Sequence, residues 1–385
     1  MKIYHQLGFR YNWNIESVEK GIGDGLIFSP VNIDYDKLKN MSKKEVSFLD
    51  PQLYLLNEAK GVLDTYPYFP GNLKDDFSTV DLEKFDDQIA SKCIDLQKEL
   101  DFEYFVIPTR YFEENPSSYF EQVKETFVLP FSSYIKKSGF DKKVLITVIV
   151  KQSMVVDEEK RNEVLNWITG LQSIVGVYII FENNFTSKQI KDFNYLLGVL
   201  RIIKVLKDNH LEVHIGYTNT EAILYSIAQP NSVSMGSYEN LRSFNIKRFK
   251  DQESGQGRAP RARLYSSKLL QWVDHQYINA MQQMIPDYES YFDESEFTPL
   301  MFVPEFNWHF TKSEIYKHYF EVFYKQIKAI PNDKEKVADH LKTMITAAIK
   351  SFRSIEEMVA LDEDSDGSHL PTWWNVLNAF LKLGI

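Results

Sequence analysis

Val144 to Val150 reads VLITVIV, and Val177 to Phe181 reads VYIIF. Both runs are apolar almost throughout and rich in β-branched residues, so neither alternates between a wet and a dry face. A strand of that kind is covered on both sides, as in a parallel sheet under helices. The same theme recurs outward from these runs. Gly25 to Ser29, Val46 to Asp50, Tyr104 to Pro108, Leu211 to Gly216, Ser232 to Gly236 and, more weakly, Arg263 to Ser266 read as strands. Amphipathic stretches separate them. Asp157 to Leu171 opens on acids and sets Val164, Leu165 and Ile168 on one face. Ser187 to Lys207 spaces Ile190, Phe193, Leu196, Leu197 and Leu200 by three and four, and Thr220 to Ala228 is a short helix with Thr220 as its expected cap.

Strands and helices in alternation build right-handed βαβ units. Eight such units fit a (β/α)8 TIM-type barrel of the α/β class. An open doubly wound sheet is the alternative, and it lacks its usual Gly-rich phosphate loop after the first strand. Beyond Asp274 the pattern turns helical, with helices expected over Ser313 to Ile330, Lys334 to Leu361 and Trp373 to Leu383, broken at Pro331 and Pro371. The expected organisation is a barrel over residues 1–274 and a helical C-terminal region over 275–385 packed on it. Asp251 to Pro260, DQESGQGRAP, reads as a mobile loop.

Charge narrows the partners. The chain has 44 Lys and Arg against 54 Asp and Glu, a formal charge of −10, which opposes unspecific coating of nucleic acid or anionic membrane. Arg242 to Lys268 departs from that total, with Arg242, Lys247, Arg248, Lys250, Arg258, Arg261, Arg263 and Lys268 against Asp251 and Glu253. That stretch is +6 and the remainder −16, so a local site for an anionic ligand is expected there. No apolar run approaches a membrane span, and the N-terminal residues lack the apolar core of a signal peptide. Cys93 is the only cysteine, which leaves no intramolecular disulfide and no Cys-rich zinc site. It reads as a small buried hydrophobe, and the expected setting is cytoplasmic.

In a barrel, chemistry belongs at the C-terminal ends of the strands. Asp50, closing Phe48-Leu49-Asp50-Pro51-Gln52, is a carboxylate at the end of an apolar strand and suits a general base or nucleophile, with helix capping as the plain alternative. Glu182 ends the VYIIF strand and is its expected acid–base partner, or else the partner of Arg110 or Lys151 in an ion pair. Gln52, Arg110, Lys151, Asn183, Gly216, Tyr217, Gly236 and Ser237 complete the mouth as candidate substrate contacts. Arg242, Arg258, Arg261 and Arg263 are candidate phosphate or nucleic-acid ligands, with Tyr265 near enough in sequence to stack on a base. Asp362, Asp364, Asp366 and Gly367 open like a calcium loop, but Trp373 stands where the closing Glu belongs, so the stretch reads as an acidic linker. The histidines show no zinc-like spacing. Neither a metal nor a cofactor is expected.

Leu211 to Phe244, LEVHIGYTNTEAILYSIAQPNSVSMGSYENLRSF, resembles the late part of the tRNA-guanine transglycosylase barrel. Gly216, Thr220-Glu221 and Arg242 follow the family's order of strand-end glycine, helix start and loop arginine, and Asp50-Pro51-Gln52-Leu53-Tyr54 is similar to its base-binding segment. The resemblance implies a nucleobase, nucleotide or nucleic-acid substrate and acid–base work by Asp50. Two departures imply altered chemistry: Ser234-Met235-Gly236-Ser237 lacks the family's nucleophilic aspartate, and the zinc cysteines are missing. Two rivals remain. One is a catalytically silent barrel serving as a binding or assembly subunit, docking a protein partner through Tyr316, Tyr319, Phe320, Phe323 and Tyr324. The other is a hydrolase for a small phosphorylated metabolite.

Overall fold

In the computed structural model, which describes residues 1–73, 82–250 and 260–383, eight strands share one parallel sheet. They are β1 (Lys2–Gln6), β2 (Gly25–Phe28), β3 (Phe48–Leu49), β4 (Phe105–Ile107), β5 (Val144–Val150), β6 (Gly176–Phe181), β7 (Glu212–Gly216) and β8 (Ser232–Gly236). Their order is β3-β2-β1-β8-β7-β6-β5-β4, so β1 pairs with both β2 and β8 and the sheet rolls into a (β/α)8 barrel. The outer strands β3 and β4 meet without a hydrogen-bonded ladder. Backbone bonds span the seam beyond the strand ends, from the N–H of Glu103 to the carbonyl of Ser47 at 2.8 Å before them and from the N–H of Tyr111 to the carbonyl of Tyr54 at 2.9 Å after them.

Every residue of β5 and β6 is buried, as their unbroken apolarity requires. The barrel axis is filled with rings. Phe48 stands 5.2 Å from both Tyr4 and Tyr178, and Tyr104 lies 5.0 Å from His214, centroid to centroid. Below them a polar floor has formed. Glu103 accepts from Lys2 (2.7 Å) and Tyr4 (2.8 Å), and Glu212 accepts from Lys143 (2.6 Å) and Tyr104 (2.9 Å). His214, between Ser232 at 2.8 Å and Glu212 at 3.3 Å, is a satisfied core histidine.

Two elements differ from expectation. The eighth barrel strand is Lys2–Gln6, whereas Arg263–Ser266 (β9) pairs antiparallel with Gln271–Asp274 (β10) in a hairpin outside the barrel. Lys2–Gln6 is hard to read because its burial is not apolar. His5 is buried with bonds to Ile22 and Asn14, and Gln6 is buried against Tyr178. Thr220 does not cap the following helix, Ala222–Tyr225. Its hydroxyl donates to Gln189, and that helix has no side-chain cap. Elsewhere capping follows the local sequence. Asp157, Asp192 and Asp333 accept backbone N–H groups at the starts of Glu158–Thr169, Phe193–Asp208 and Lys334–Glu356.

The C-terminal helices Ser313–Ala329, Lys334–Glu356 and Leu370–Lys382 follow the hairpin. Tyr319, Phe320 and Phe323 are completely buried, with Tyr319 5.2 Å from Tyr265 of β9 and Phe320 4.7 Å from His5. These three residues of the aromatic stripe are therefore core, holding helix and hairpin to the barrel, while Tyr324 is half-buried. Cys93 is buried, and burial pushes its thiol up to about 12. No helix among the described residues is long and apolar enough to cross a membrane.

Candidate functional site at the barrel mouth

The C-terminal mouth is divided into a sealed centre and an open groove at one side. Asp50, at the end of β3, belongs to the centre and is wholly buried. The Tyr54 hydroxyl donates to it at 2.8 Å, the Gln52 N–H at 3.2 Å, and Tyr178 lies at 3.4 Å. Burial pushes its carboxyl up to about 6, against the pull of the Tyr54 and Gln52 hydrogen bonds. Above it Tyr54, Tyr217, Phe244 and Phe249 close together, with Tyr54 4.9 Å from Phe249 and Tyr217 5.4 Å from Phe244. Arg248 ties this cover down by donating to Asn32 (3.0 Å) and to the Tyr217 hydroxyl (3.4 Å).

Several expected ligand contacts serve the centre as structure. Gln52, at φ +56°, accepts through Oε1 from Ser29 and the Val31 N–H. Gly216 makes room for the Tyr178 ring rather than a ligand: a Cβ there would stand 2.5 Å from the Tyr178 hydroxyl. Gly236 likewise faces Leu241. Gly216→Ala is therefore expected to push Tyr178 off Asp50 and cost about 1–3 kcal/mol by overpacking. Urea denaturation checks this, and an unchanged midpoint would contradict it.

Glu182 is not in this cluster. It accepts from the Tyr111 hydroxyl at 2.8 Å and shares no hydrogen-bond partner with Asp50 among the described residues. Neither alternative ion pair forms. Lys151 donates to the carbonyls of Phe112 and Glu113 beneath the Tyr111 ring, and Arg110 lies over Phe112, 4.5 Å from its centroid. Burial lowers both cations.

The groove lies where the ends of β6, β7 and β8 face the β9–β10 hairpin. It has two compartments. The smaller, about 160 Å³, is lined by Asn183, Lys188, Glu221, Arg242, Arg263 and Trp272 among others. The larger, about 500 Å³, shares Glu239, Arg242, Arg263 and Trp272 and adds Arg10, Tyr238, Arg261, Phe310 and Tyr316. Arg242 is the hinge of the arrangement. It is buried, stacks 3.9 Å from the Trp272 centroid, and donates to the carbonyl of Ser237 at 2.7 Å. Its Nε and the buried Ser237 hydroxyl have no partner, and Arg242 forms no ion pair among the described residues. Glu239 and Glu221 lie within electrostatic reach of it, but neither contacts it in an ion pair, and a buried cation held this way keeps a place for an anion.

Its neighbours are more fully engaged. Arg263 binds the carbonyl and carboxylate of Asp364 at 2.7 and 3.3 Å, and Arg261 lies 3.4 Å from buried Asp274. Asp366 bonds Ser368, so the aspartates of the calcium-like stretch are engaged in loop contacts. Arg258 lies outside the described residues, as does nearly all of the expected mobile loop. Asn183 lies against the Tyr195 hydroxyl.

Glu221 and Trp272 are among the lining residues to which the sequence assigned no ligand role. Glu221 is buried, takes the Asn219 N–H on Oε1 at 2.9 Å, and is pushed up to about 7 by burial, opposed by that bond and by Arg242. Its signal was its place in the loop after β7, where barrel chemistry collects. Trp272 had none, because the hairpin that carries it packs over the mouth from outside the barrel. No family model matches the chain, and neither does any curated protein. Fold and site together define the class, a (β/α)8 barrel protein with a cationic, aromatic groove at its mouth.

Proposed function

We propose that the protein is a barrel enzyme for a nucleotide-class ligand, a phosphate carrying a flat base, free or at the end of a nucleic acid. Its chemistry is proton transfer at the glycosyl bond, the altered transglycosylase-like activity that the sequence resemblance implies. The observation that carries this reading is Arg242, buried in the loop after β8 with an unpartnered Nε and no carboxylate in ion-pair contact among the described residues. The loops after the last two strands are where such barrels commonly hold phosphate, and Arg242 lines both compartments there. The larger compartment offers Trp272, Tyr238, Tyr316 and Phe310 as flat or edge-on walls for a base. Glu221, poised near neutrality on the cavity wall, is suited to protonate the departing base, while an incoming base or water bonds to the anomeric carbon and gives its proton back to the Glu221 carboxylate. In this reading Glu221 takes the acid–base role that Asp50 is too enclosed to perform, and Arg261 and Arg263 add positive potential.

Calorimetric titration tests the reading. A nucleoside 5′-monophosphate is expected to bind at least about tenfold more tightly than the nucleoside, since hydrogen bonds to charged groups contribute about 1.5–3 kcal/mol. Added salt should weaken the monophosphate more than the nucleoside. Equal affinity for the two would reject a phosphate site in the groove.

A further inference from the structure

Glu221 and Arg242 are buried ionisable groups on the wall of one small cavity, and neither forms an ion pair among the described residues. Glu221 Oε1 is occupied by the Asn219 N–H. The cavity's about 160 Å³ suits a small oxyanion better than a whole nucleotide. An anion bonded to Arg242 would therefore enter a small compartment already lined by the carboxyl groups of Glu221 and Glu239.

We infer that the small compartment binds a tetrahedral oxyanion, the phosphate end of the ligand, together with a proton that Glu221 takes up. This rests on the groove being the ligand site and adds a regulation of it, a coupling of anion binding to pH. The other groups facing Glu221 do not supply that proton near neutrality. They are the hydroxyls of Tyr195 on Phe193–Asp208, Tyr225 on Ala222–Tyr225 and Tyr319 on Ser313–Ala329, all held protonated by burial. Across the cavity Lys188 is bound to Glu239, and Arg263 to Asp364. In the empty cavity, Arg242 favours the Glu221 carboxylate. An oxyanion that takes over the guanidinium withdraws that support and adds repulsion, so the carboxyl picks up a proton. No covalent step is involved: one proton passes from solvent to Glu221 as the anion enters.

Sulfate is the probe, because it stays a dianion across the useful pH range. Titrated into the whole protein in buffers of different ionisation enthalpy near pH 7.5, sulfate should bind with uptake of up to about three quarters of a proton, the share of Glu221 still ionised there. Its affinity should fall about tenfold or more between about pH 6 and pH 8.5. In Glu221→Gln the uptake should vanish, and the affinity should become independent of pH. A second readout does not need the variant: sulfate should raise the infrared carbonyl band of a protonated carboxylic acid in the wild-type protein. Sulfate binding without proton uptake or that band, or an unaltered pH dependence in Glu221→Gln, overturns the coupling and leaves the groove as ligand site. If neither sulfate nor a nucleoside 5′-monophosphate binds, the coupling and the site fall together. A monophosphate that binds more tightly than sulfate assigns the anion to a nucleotide; equal binding assigns it to free inorganic oxyanion.

Discussion

Replacing Arg242 with methionine should remove oxyanion and monophosphate binding, by about a hundredfold or more, while changing stability by less than about 2 kcal/mol in either direction. The reasoning turns on what the guanidinium does in the empty protein. It packs between Trp272 and Tyr319, 3.9 and 5.6 Å from their centroids, and it bonds the carbonyl of Ser237. Methionine restores most of the packing and loses that bond, at about 1–3 kcal/mol for the carbonyl left unpaired. In return it no longer buries a charge that lacks a counter-ion, which often offsets such a loss. If Arg242 were only a structural strut, the expected result would be reversed: a large fall in the unfolding midpoint and unaltered anion binding. Denaturation and sulfate titration on one variant separate the two.

The second large effect is on the pH dependence of stability. Asp50 is raised from 3.8 to about 6, and Glu221 from 4.5 to about 7, both chiefly by burial. For an acid raised on folding, the folded state holds the proton more tightly. Its stabilising contribution is fully present below the unfolded value and is lost as pH rises through the folded one. At about 1.4 kcal/mol per pH step, each of the two costs the protein about 3 kcal/mol by neutrality. His5 and His369, lowered to about 4 and about 3 by burial, act in the opposite sense, contributing stability above 6.5 that is lost on acidification. The trends overlap between about pH 4 and 7, so the wild-type curve is flattened and hides both. The difference between proteins is the readout. Asp50→Asn should gain about 3 kcal/mol on the wild type between about pH 4 and pH 7, whatever its offset at the acid end. Parallel curves would show that Asp50 titrates in the fold as it does in the unfolded chain.

The barrel is legible wherever burial and apolarity coincide. VLITVIV and VYIIF could be read because both their faces are covered by carbon. Lys2–Gln6 could not, because β1 is buried through hydrogen bonds: its His5 and Gln6 look like surface residues until their partners are known. The same limit applied at the mouth. Strand-end logic picked out Asp50 and Glu182 together, but whether two strand ends share a pocket depends on the loops between them. Here Phe244 and Phe249 seal one carboxylate, and Tyr111 takes the other. The basic cluster of the sequence contains Arg242, Arg261 and Arg263, which line the groove. Charge counting could not show which of them is already neutralised, since Asp364 lies far along the chain from that cluster and Asp274 just beyond its end.

The seam between β3 and β4 makes this barrel a rolled sheet with a latch rather than a continuous ring. Seven of its joins are ladders of backbone amides, which are indifferent to pH. At the eighth, isolated amide bonds stand beyond the strand ends, and beside the one at Glu103 that side chain is gripped by Lys2 and Tyr4, while Glu212 is gripped by Lys143 and Tyr104. Tyr104 and Lys143 introduce β4 and β5, so both carboxylates fasten the free edge of the sheet from beneath. Closure of the cylinder is thereby entrusted to groups that acid can discharge and salt can screen, at the end opposite the groove.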